Sequence, residues 1–319
     1  MTEPGTRLDG ITLTSQAVGN AWSWLVMREA LLHDVRRFAD FQARLGIARS
    51  TLSARLSQLV DNGLLTRGHE GSSAAEEYLV APAGEDFFAC LMTALAWGDK
   101  CPDGEVGNRR LSVAHRMCGG AASPELRCGS CRKLIVARDV HAEHAEQRLG
   151  GSRLSGQYHR APDYDLLERN RPCSIARTQI VLGDWWSCLM VREAFFGVHR
   201  FDEFRTNLQV STNILTTRLT RLVERGVLIR TQYQQRPIRH EYHLTERGLE
   251  LYPVALAIIT WGERWKSSQG PLVPLTHVPC RSPLEPELCC GTCMKPLALA
   301  DTEISEIDVT PKGAVRVAR

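Results

Sequence analysis

SWLVMREALLHDVRRFADFQARLGIARSTLSARLSQLVDNGLLTR, residues 23–67, returns as SCLMVREAFFGVHRFDEFRTNLQVSTNILTTRLTRLVERGVLIR, residues 187–230. Arg28-Glu29 recurs as Arg192-Glu193, 164 positions later. Leu52, Arg55, Leu56, Leu59, Val60 and Gly63 recur as Leu215, Arg218, Leu219, Leu222, Val223 and Gly226, 163 positions later. Glu77-Tyr78 and Trp97-Gly98 reappear as Glu241-Tyr242 and Trp261-Gly262. Small insertions account for the drift, so one domain is written twice in tandem.

The spacing within each copy predicts the element order. A first helix carries Trp22, Leu25, Val26 and Leu31 or Leu32, matched by Trp186, Leu189, Met190, Phe195 and Phe196. A short helix follows on Phe38, Phe41 and Leu45, matched by Phe201, Phe204 and Leu208. Beyond a turn, Leu52, Leu56, Leu59 and Val60 fall at i, i+4, i+7 and i+8, the apolar stripe of an amphipathic helix. Gly63 and Gly226 stand where a left-handed C-cap is expected. Leu64 to Arg67 and Tyr78 to Val80 read as two short strands around a polar loop, as do Val227 to Arg230 and Tyr242 to Leu244. Thr245 is expected to cap a last helix bearing Tyr252, Ala255, Leu256 and Ile259. Helix, helix, turn, helix, hairpin, helix is a winged helix-turn-helix.

In such a domain the second helix of the pair enters the major groove, its N-terminal polar residues on base edges. With the leucine stripe inward, copy one turns Arg49, Ser50, Ser53, Ala54 and Ser57 outward. Copy two turns out Thr212, Asn213, Thr216, Thr217 and Arg221. Hydroxyls, an amide and guanidinium groups suit base edges and phosphates. Arg55 and Arg218, at one position in both copies, are expected to contact phosphates. The hairpin tip of copy two, residues 232–240, offers Arg236 and Arg239 to the minor groove or the backbone. The tip of copy one, residues 68–77, has no Lys or Arg and carries three glutamates, which phosphates repel. It reads as a solvated loop.

LGDWWSCLMVREAFFG, HRFDEFRTNL, STNILTTRLTRLVERGVLIR, EYHLTERG and ITWG stand in that order in copy two and resemble the HxlR-type winged-helix transcriptional regulators. The resemblance spans nearly all of residues 173–265, with a more diverged version over about residues 9–101. It implies a bacterial repressor or activator that pairs two winged-helix units through first and last helices on a pseudo-palindrome in double-stranded DNA. Regulators of this type are commonly single units that dimerise. A tandem chain departs from that pattern, so one polypeptide is expected to supply both units as a pseudo-dimer, on an operator whose half-sites can differ. The resemblance also points to Cys173, where many such proteins carry a cysteine that in some of them senses oxidants or electrophiles. Its counterpart is Asp9, so no symmetric disulfide can join the copies, and helix capping or packing is an equal reading. A small-molecule effector near Trp22, Trp24, Trp185 and Trp186, and a homodimer of tandem chains, stay open as partners.

Each copy is followed by a second motif. His115-x-x-Cys118 precedes Cys128-x-x-Cys131, and His277-x-x-Cys280 precedes Cys290-x-x-Cys293 with the same gap. One His-Cys pair and one Cys-Cys pair satisfy a closed tetrahedral zinc site. The expectation is two structural zinc ions, one per cluster, with no open position for catalysis. Cys289 is an alternative ligand, and a redox-responsive thiol group is the alternative use of either cluster. The predicted fold class is mainly α with small β-hairpins. The domains are a winged helix-turn-helix at 9–101, a zinc-ribbon-like segment at 110–140, a linker at 141–172, a second winged helix-turn-helix at 173–268 and a second ribbon-like segment at 272–309.

The remaining statistics exclude more than they assign. The 319 residues, 43% hydrophobic and 24% charged, suit two globular domains. No apolar run approaches the roughly 20 residues of a membrane span, and the start lacks a signal-peptide pattern, so a cytoplasmic protein is expected. An odd count of 11 cysteines speaks against a disulfide framework. A net charge of +3 leaves any DNA argument to local placement. No G-x-S-x-G, phosphate loop or H-E-x-x-H occurs in a fitting context, so an enzyme is not expected. The rival reading is a winged-helix and ribbon module for protein–protein contact, with DNA binding weakened.

Overall fold

The computed structural model describes residues 9–68, 76–100, 109–143, 173–268, 270–309 and 315–317. The expected linker lies outside them from residue 144 to residue 172, as do Cys101 and residues 69–75 of the first wing. Copy one comprises α1 (Gly10–Val18), α2 (Ala21–His33), α3 (Phe38–Leu45), α4 (Arg49–Asp61), β1 (Leu65–Gly68), β2 (Glu77–Val80), α5 (Pro82–Asp86) and α6 (Phe88–Asp99). Short strands follow: β3 (Arg109–His115), β4 (Gly120–Ala121), β5 (Pro124–Cys128) and β6 (Val140–Ala142). Copy two repeats the order with α7 (Ser174–Leu182), α8 (Trp185–Phe195), α9 (Phe201–Leu208), α10 (Thr212–Glu224), β7 (Leu228–Gln235), β8 (Ile238–Leu244), α11 (Glu246–Leu249) and α12 (Tyr252–Lys266). It closes with β9 (Leu275–His277), β10 (Ser282–Pro283), β11 (Pro286–Cys290), β12 (Thr302–Val309) and β13 (Val315–Val317).

These elements form two compact units, and each unit draws on both copies. Unit one comprises residues 1–15, 127–160 and 181–286; unit two comprises residues 16–126, 161–180 and 287–319. Unit one therefore carries the winged helix of copy two, and unit two that of copy one.

Within each winged helix the leucine stripe forms the core. Leu52, Leu56 and Leu59 of α4 are fully buried, as are Leu215, Leu219 and Leu222 of α10. Each such side chain contributes about 1.5–3 kcal/mol of burial. Gly63 and Gly226 end these helices at φ 69° and 68°. Open space surrounds the Gly63 Cα, so it is the left-handed backbone rather than crowding that requires glycine there. Thr245 caps a helix as expected, its Oγ1 accepting from the Gly248 amide at 3.0 Å. That helix is the single turn α11, however, and the apolar face of Tyr252, Ala255, Leu256 and Ile259 belongs to the separate α12.

The helices α1 and α7 escaped the sequence periodicity, and their packing exchanges the copies. In unit one, Thr14 of α1 donates its hydroxyl to the Ile258 carbonyl of α12 at 2.7 Å. A Cβ at Gly262 would lie 2.1 Å from the Gly10 carbonyl oxygen. In unit two, Thr178 of α7 donates to the Ala94 carbonyl of α6 at 2.6 Å. A Cβ at Gly98 would lie 1.8 Å from the Ser174 oxygen. The same contact is thus made twice, each time between the first helix of one copy and the last helix of the other. The ribbon strands follow suit: β3 pairs with β12 in unit two, His115 opposite Thr302. In unit one β6 pairs with β9, Val140 opposite His277.

Candidate nucleic-acid interface and metal centres

On α10, Thr212, Asn213, Thr216 and Thr217 are exposed, and Arg221 is half-buried. Ser211 caps the helix by accepting from the Ile214 amide. Thr216 and Thr217 donate their hydroxyls to the Thr212 and Asn213 carbonyls, both at 2.8 Å. Their oxygens keep acceptor capacity, and the Asn213 amide offers both donor and acceptor outward. On α4, Arg49, Ser50 and Ser53 are exposed and Ser57 is half-buried. Ala48 gives that helix no side-chain cap, and the Arg49 guanidinium sits 5.2 Å above the Phe38 ring.

Arg55 and Arg218, expected to contact phosphates, both make bonds within the protein. Arg218 is only 16% exposed and donates its Nε to Asp184 Oδ1 at 2.9 Å. Asp184 also caps α8, accepting from the Ser187 amide and hydroxyl. Arg218 therefore ties the recognition helix to the start of α8. The equivalent of Asp184 in copy one is the neutral Asn20, which caps α2. Arg55 accordingly turns to Gln58 Oε1 at 2.7 Å, and burial pulls it below the usual arginine range.

The second wing is formed by the β7–β8 pair, with Arg236 and Arg239 exposed near its tip. Arg200, which sequence reasoning missed, lies 4.9 Å from the Tyr233 ring and 3.1 Å from Glu241. Tyr233 and Glu241 lie over 30 residues away in sequence, so no local pattern announces these two contacts. In the first wing Glu77 is buried against Arg37 at 3.1 Å, and Glu76 meets Arg67 at 3.5 Å. Two of the three glutamates are thus matched by arginines rather than left as bare negative charge.

The eight candidate metal ligands come together, but not in the expected sets. His115 and Cys118 join Cys290 and Cys293 in unit two; Cys128 and Cys131 join His277 and Cys280 in unit one. Neither cluster closes on itself. Strand pairing brings each His-Cys turn to the Cys-Cys turn of the other copy. Within each set all ligand atoms lie within 4.8 Å of one another. Bonds of about 2.3 Å to sulfur imply tetrahedral edges of about 3.8 Å. The Cys128–Cys280 sulfurs are 3.8 Å apart. His277 Nδ1 lies 3.3 Å from Cys131 Sγ and 3.2 Å from Cys280 Sγ, and His115 Nδ1 lies 3.3 Å from Cys293 Sγ. The opposite ring atoms, His115 Nε2 and His277 Nε2, are buried without a partner, so the Nδ1 atoms are the ones offered to an ion. Cys280 is drawn down to about 6 by the Ser282 amide and His277. Burial opposes the Cys290 thiolate, yet the Cys293 and Thr292 amides bring it to about 6. These residues fit a zinc-type ion. Cys289 is buried and outside the set, which corrects its reading as an alternative ligand.

The model of the HxlR-like helix-turn-helix family matches residues 17–105 and 181–270, together more than half of the chain. The chain belongs to the HxlR-like helix-turn-helix family. An uncharacterised HTH-type transcriptional regulator of Mycobacterium tuberculosis is 36% identical over 149 residues, which are 46% of this chain and 90% of that protein. YdeP of Bacillus subtilis, another HTH-type transcriptional regulator, is 36% identical over 95 residues, 30% of this chain and 74% of its own. Among solved structures, PA1607 is 38% identical, covering 42% of this chain and 94% of that chain at a TM-score of 0.38. The redox regulator HypR in its oxidised form is 33% identical, covering 30% and 99%, at a TM-score of 0.28. An HxlR-like chain with two helix-turn-helix regions is a DNA-binding regulator by family. No helix among the described residues is long and apolar enough to cross a membrane.

Proposed function

We propose that this chain is a cytoplasmic transcriptional regulator whose two winged helices act as an intrachain pseudo-dimer on a two-half-site operator. The reciprocal exchange of α1 and α7 carries this reading. Each contact joins both copies, so neither winged helix completes its helical core without the other. The base-reading residues are Asn213, Thr212, Thr216, Thr217 and Arg221 in one half, with Arg236 and Arg239 on its wing. In the other half they are Arg49, Ser50, Ser53 and Ser57. Because the two sets differ, the two half-sites differ.

Two structural zinc ions fit the crossed ligand sets, His115, Cys118, Cys290 and Cys293 holding one and Cys128, Cys131, His277 and Cys280 the other. Bound there, each ion would tie distant parts of the chain together and leave no site for substrate. Cys173 belongs to the same proposal as a candidate redox thiol, with the Arg28 guanidinium 2.8 Å from its sulfur. A small-molecule effector and a further homodimer are compatible with this reading. The uncapped α4 favours a second reading for copy one alone, a half that has shifted toward protein contact.

The test is a titration of the pure chain against DNA from its own upstream region at two salt concentrations. Selective binding that weakens steeply with salt is the expected result. Salt-insensitive capture of a protein partner, with no duplex selectivity, would replace the regulator with the interaction module.

A further inference from the structure

All four ligand turns close in one way. Gly119, Arg132, Arg281 and Met294 each donate their backbone amide to the carbonyl of the first ligand of their turn, at 2.7–2.8 Å. All four are left-handed, at φ 68°, 62°, 59° and 59°. This conformation is natural for glycine and costly for a side-chain-bearing residue. In unit two the closing residues are Gly119 and Met294. In unit one they are Arg281 and Arg132, so an arginine stands where the duplicate has glycine.

Both arginines immediately follow ligands of a single site, Cys280 and Cys131, whose sulfurs lie within 4.8 Å of the other ligand atoms. They therefore flank one centre, and Arg132, Lys133 and Arg281 are all exposed. Neutralising a three-thiolate centre does not account for them, because unit two has the same donor set with glycine and methionine in their places. The acids on these segments are Glu285, whose carbonyl accepts from the Gly129 amide, Asp139, which meets Arg138 at 4.0 Å, and Glu143, which accepts from the Thr276 hydroxyl at 3.4 Å. The local balance remains basic. Unit one also holds the capped α10 and the wing with Arg236 and Arg239.

We propose that the paired ligand turns of unit one, through Arg132, Arg281 and Lys133, form a second contact with the phosphate backbone of duplex DNA. The surface adds affinity without sequence preference, and it rests on the regulator reading above. At Arg281, backbone strain kept where the duplicate has Gly119 is the mark of a side chain with work to do, and Arg132 stands beside it on the same centre.

The test replaces Arg132→Met together with Arg281→Gly, the residues that the other unit tolerates in the same backbone. Probes are the upstream duplex and an unrelated duplex of equal length. Affinity for both should fall about tenfold at low salt, and the slope of log K against log salt should shrink by about 2. Selectivity and metal content should stay unchanged. Arg132→Gln with Arg281→Gln gives the same loss if the first pair disturbs the ion. Arg138→Ala, the loss of one charge on the same segment, should leave the slope nearly intact. An unaltered slope with the ion retained overturns the inference and leaves the regulator standing. A slope change of about 1 from Arg138→Ala, half that of the double variant, also overturns it, since the effect would be long-range charge. A wild-type chain that binds neither duplex overturns both.

Discussion

In unit one, Asp9 meets Arg192 at 2.6 Å, and Arg192 is bonded in turn to Glu193. In unit two the same place holds Cys173, 2.8 Å from Arg28, which is bonded to Glu29. Asp9 caps α1, accepting from the Ile11 and Thr12 amides, and Cys173 stands over the Ala176 amide at the start of α7. One architecture is thus closed by a carboxylate on one side and by a thiol on the other. Burial works against charge at Asp9, but Arg192 and Thr12 outweigh it and hold the carboxyl below its ordinary value. Arg28 is likewise held above the usual arginine range, Cys173 and Glu29 overcoming its burial. Duplication preserved the cationic partner, and divergence changed what it faces.

The metal centres give the sharpest way to break the comparison. Cys118→Ser with Cys131→Ser should abolish both sites, because the crossed sets place one substitution in each unit. Cys118→Ser with Cys293→Ser should leave one ion per chain, read by elemental analysis. The opposite pattern would restore sets closed within each copy. Apparent energies of about 10–16 kcal/mol for structural zinc make the first variant the most damaging to folding.

Next comes the buried pair. Asp9→Asn takes one of two carboxylates from the buried Arg192 guanidinium, leaving Glu193, and should cost about 3 kcal/mol in denaturant unfolding. Cys173→Ala removes a weaker partner and should cost about 1–3 kcal/mol. A folded-state carboxyl below its ordinary value contributes stability at higher pH and loses it as pH falls through that folded value. Wild-type chain should therefore lose stability on acidification through Asp9, and Asp9→Asn should flatten that loss. Equal costs for the two variants would erase the distinction between the units.

The recognition helices should differ by less. Asn213→Ala is expected to weaken selective binding by about 1–3 kcal/mol in a gel-shift titration. Ser50→Ala should cost less, since a lone hydroxyl on an uncapped helix makes fewer contacts. Smallest in its effect on the salt slope is Arg218→Ala, whose loss should register as lowered melting temperature, because its partner is Asp184. A drop of about 1 in that slope would instead return Arg218 to the phosphates.

Much of this was legible in the residues. The leucine stripes, the glycine caps, the hairpins and the eight ligands all follow from local spacing, because helix periodicity and chelate turns act over a few positions. The internal partners of Arg55 and Arg218 were not legible for a related reason. Sequence shows their position on the helix, but Asn20 and Asp184, which decide where they turn, lie over 30 residues away. The helix α7 was hidden because every one of its residues is buried, and α1 because it buries polar Thr12 and Thr14 beside its apolar residues, so neither shows an apolar-polar alternation that tracks its inward face.

By itself the sequence determined that the chain is duplicated, that each copy folds as a winged helix, and which side chains can bind an ion. Only the tertiary structure decided the partners. Both copies carry the same His-x-x-Cys and Cys-x-x-Cys turns, and an ion is indifferent to which copy supplies its sulfur. The choice is made by β3 against β12, β6 against β9, and the glycines that let α1 and α7 approach the opposite copy's last helix. Such contacts have no signature in either copy alone, since each half of the contact is satisfied only by the other.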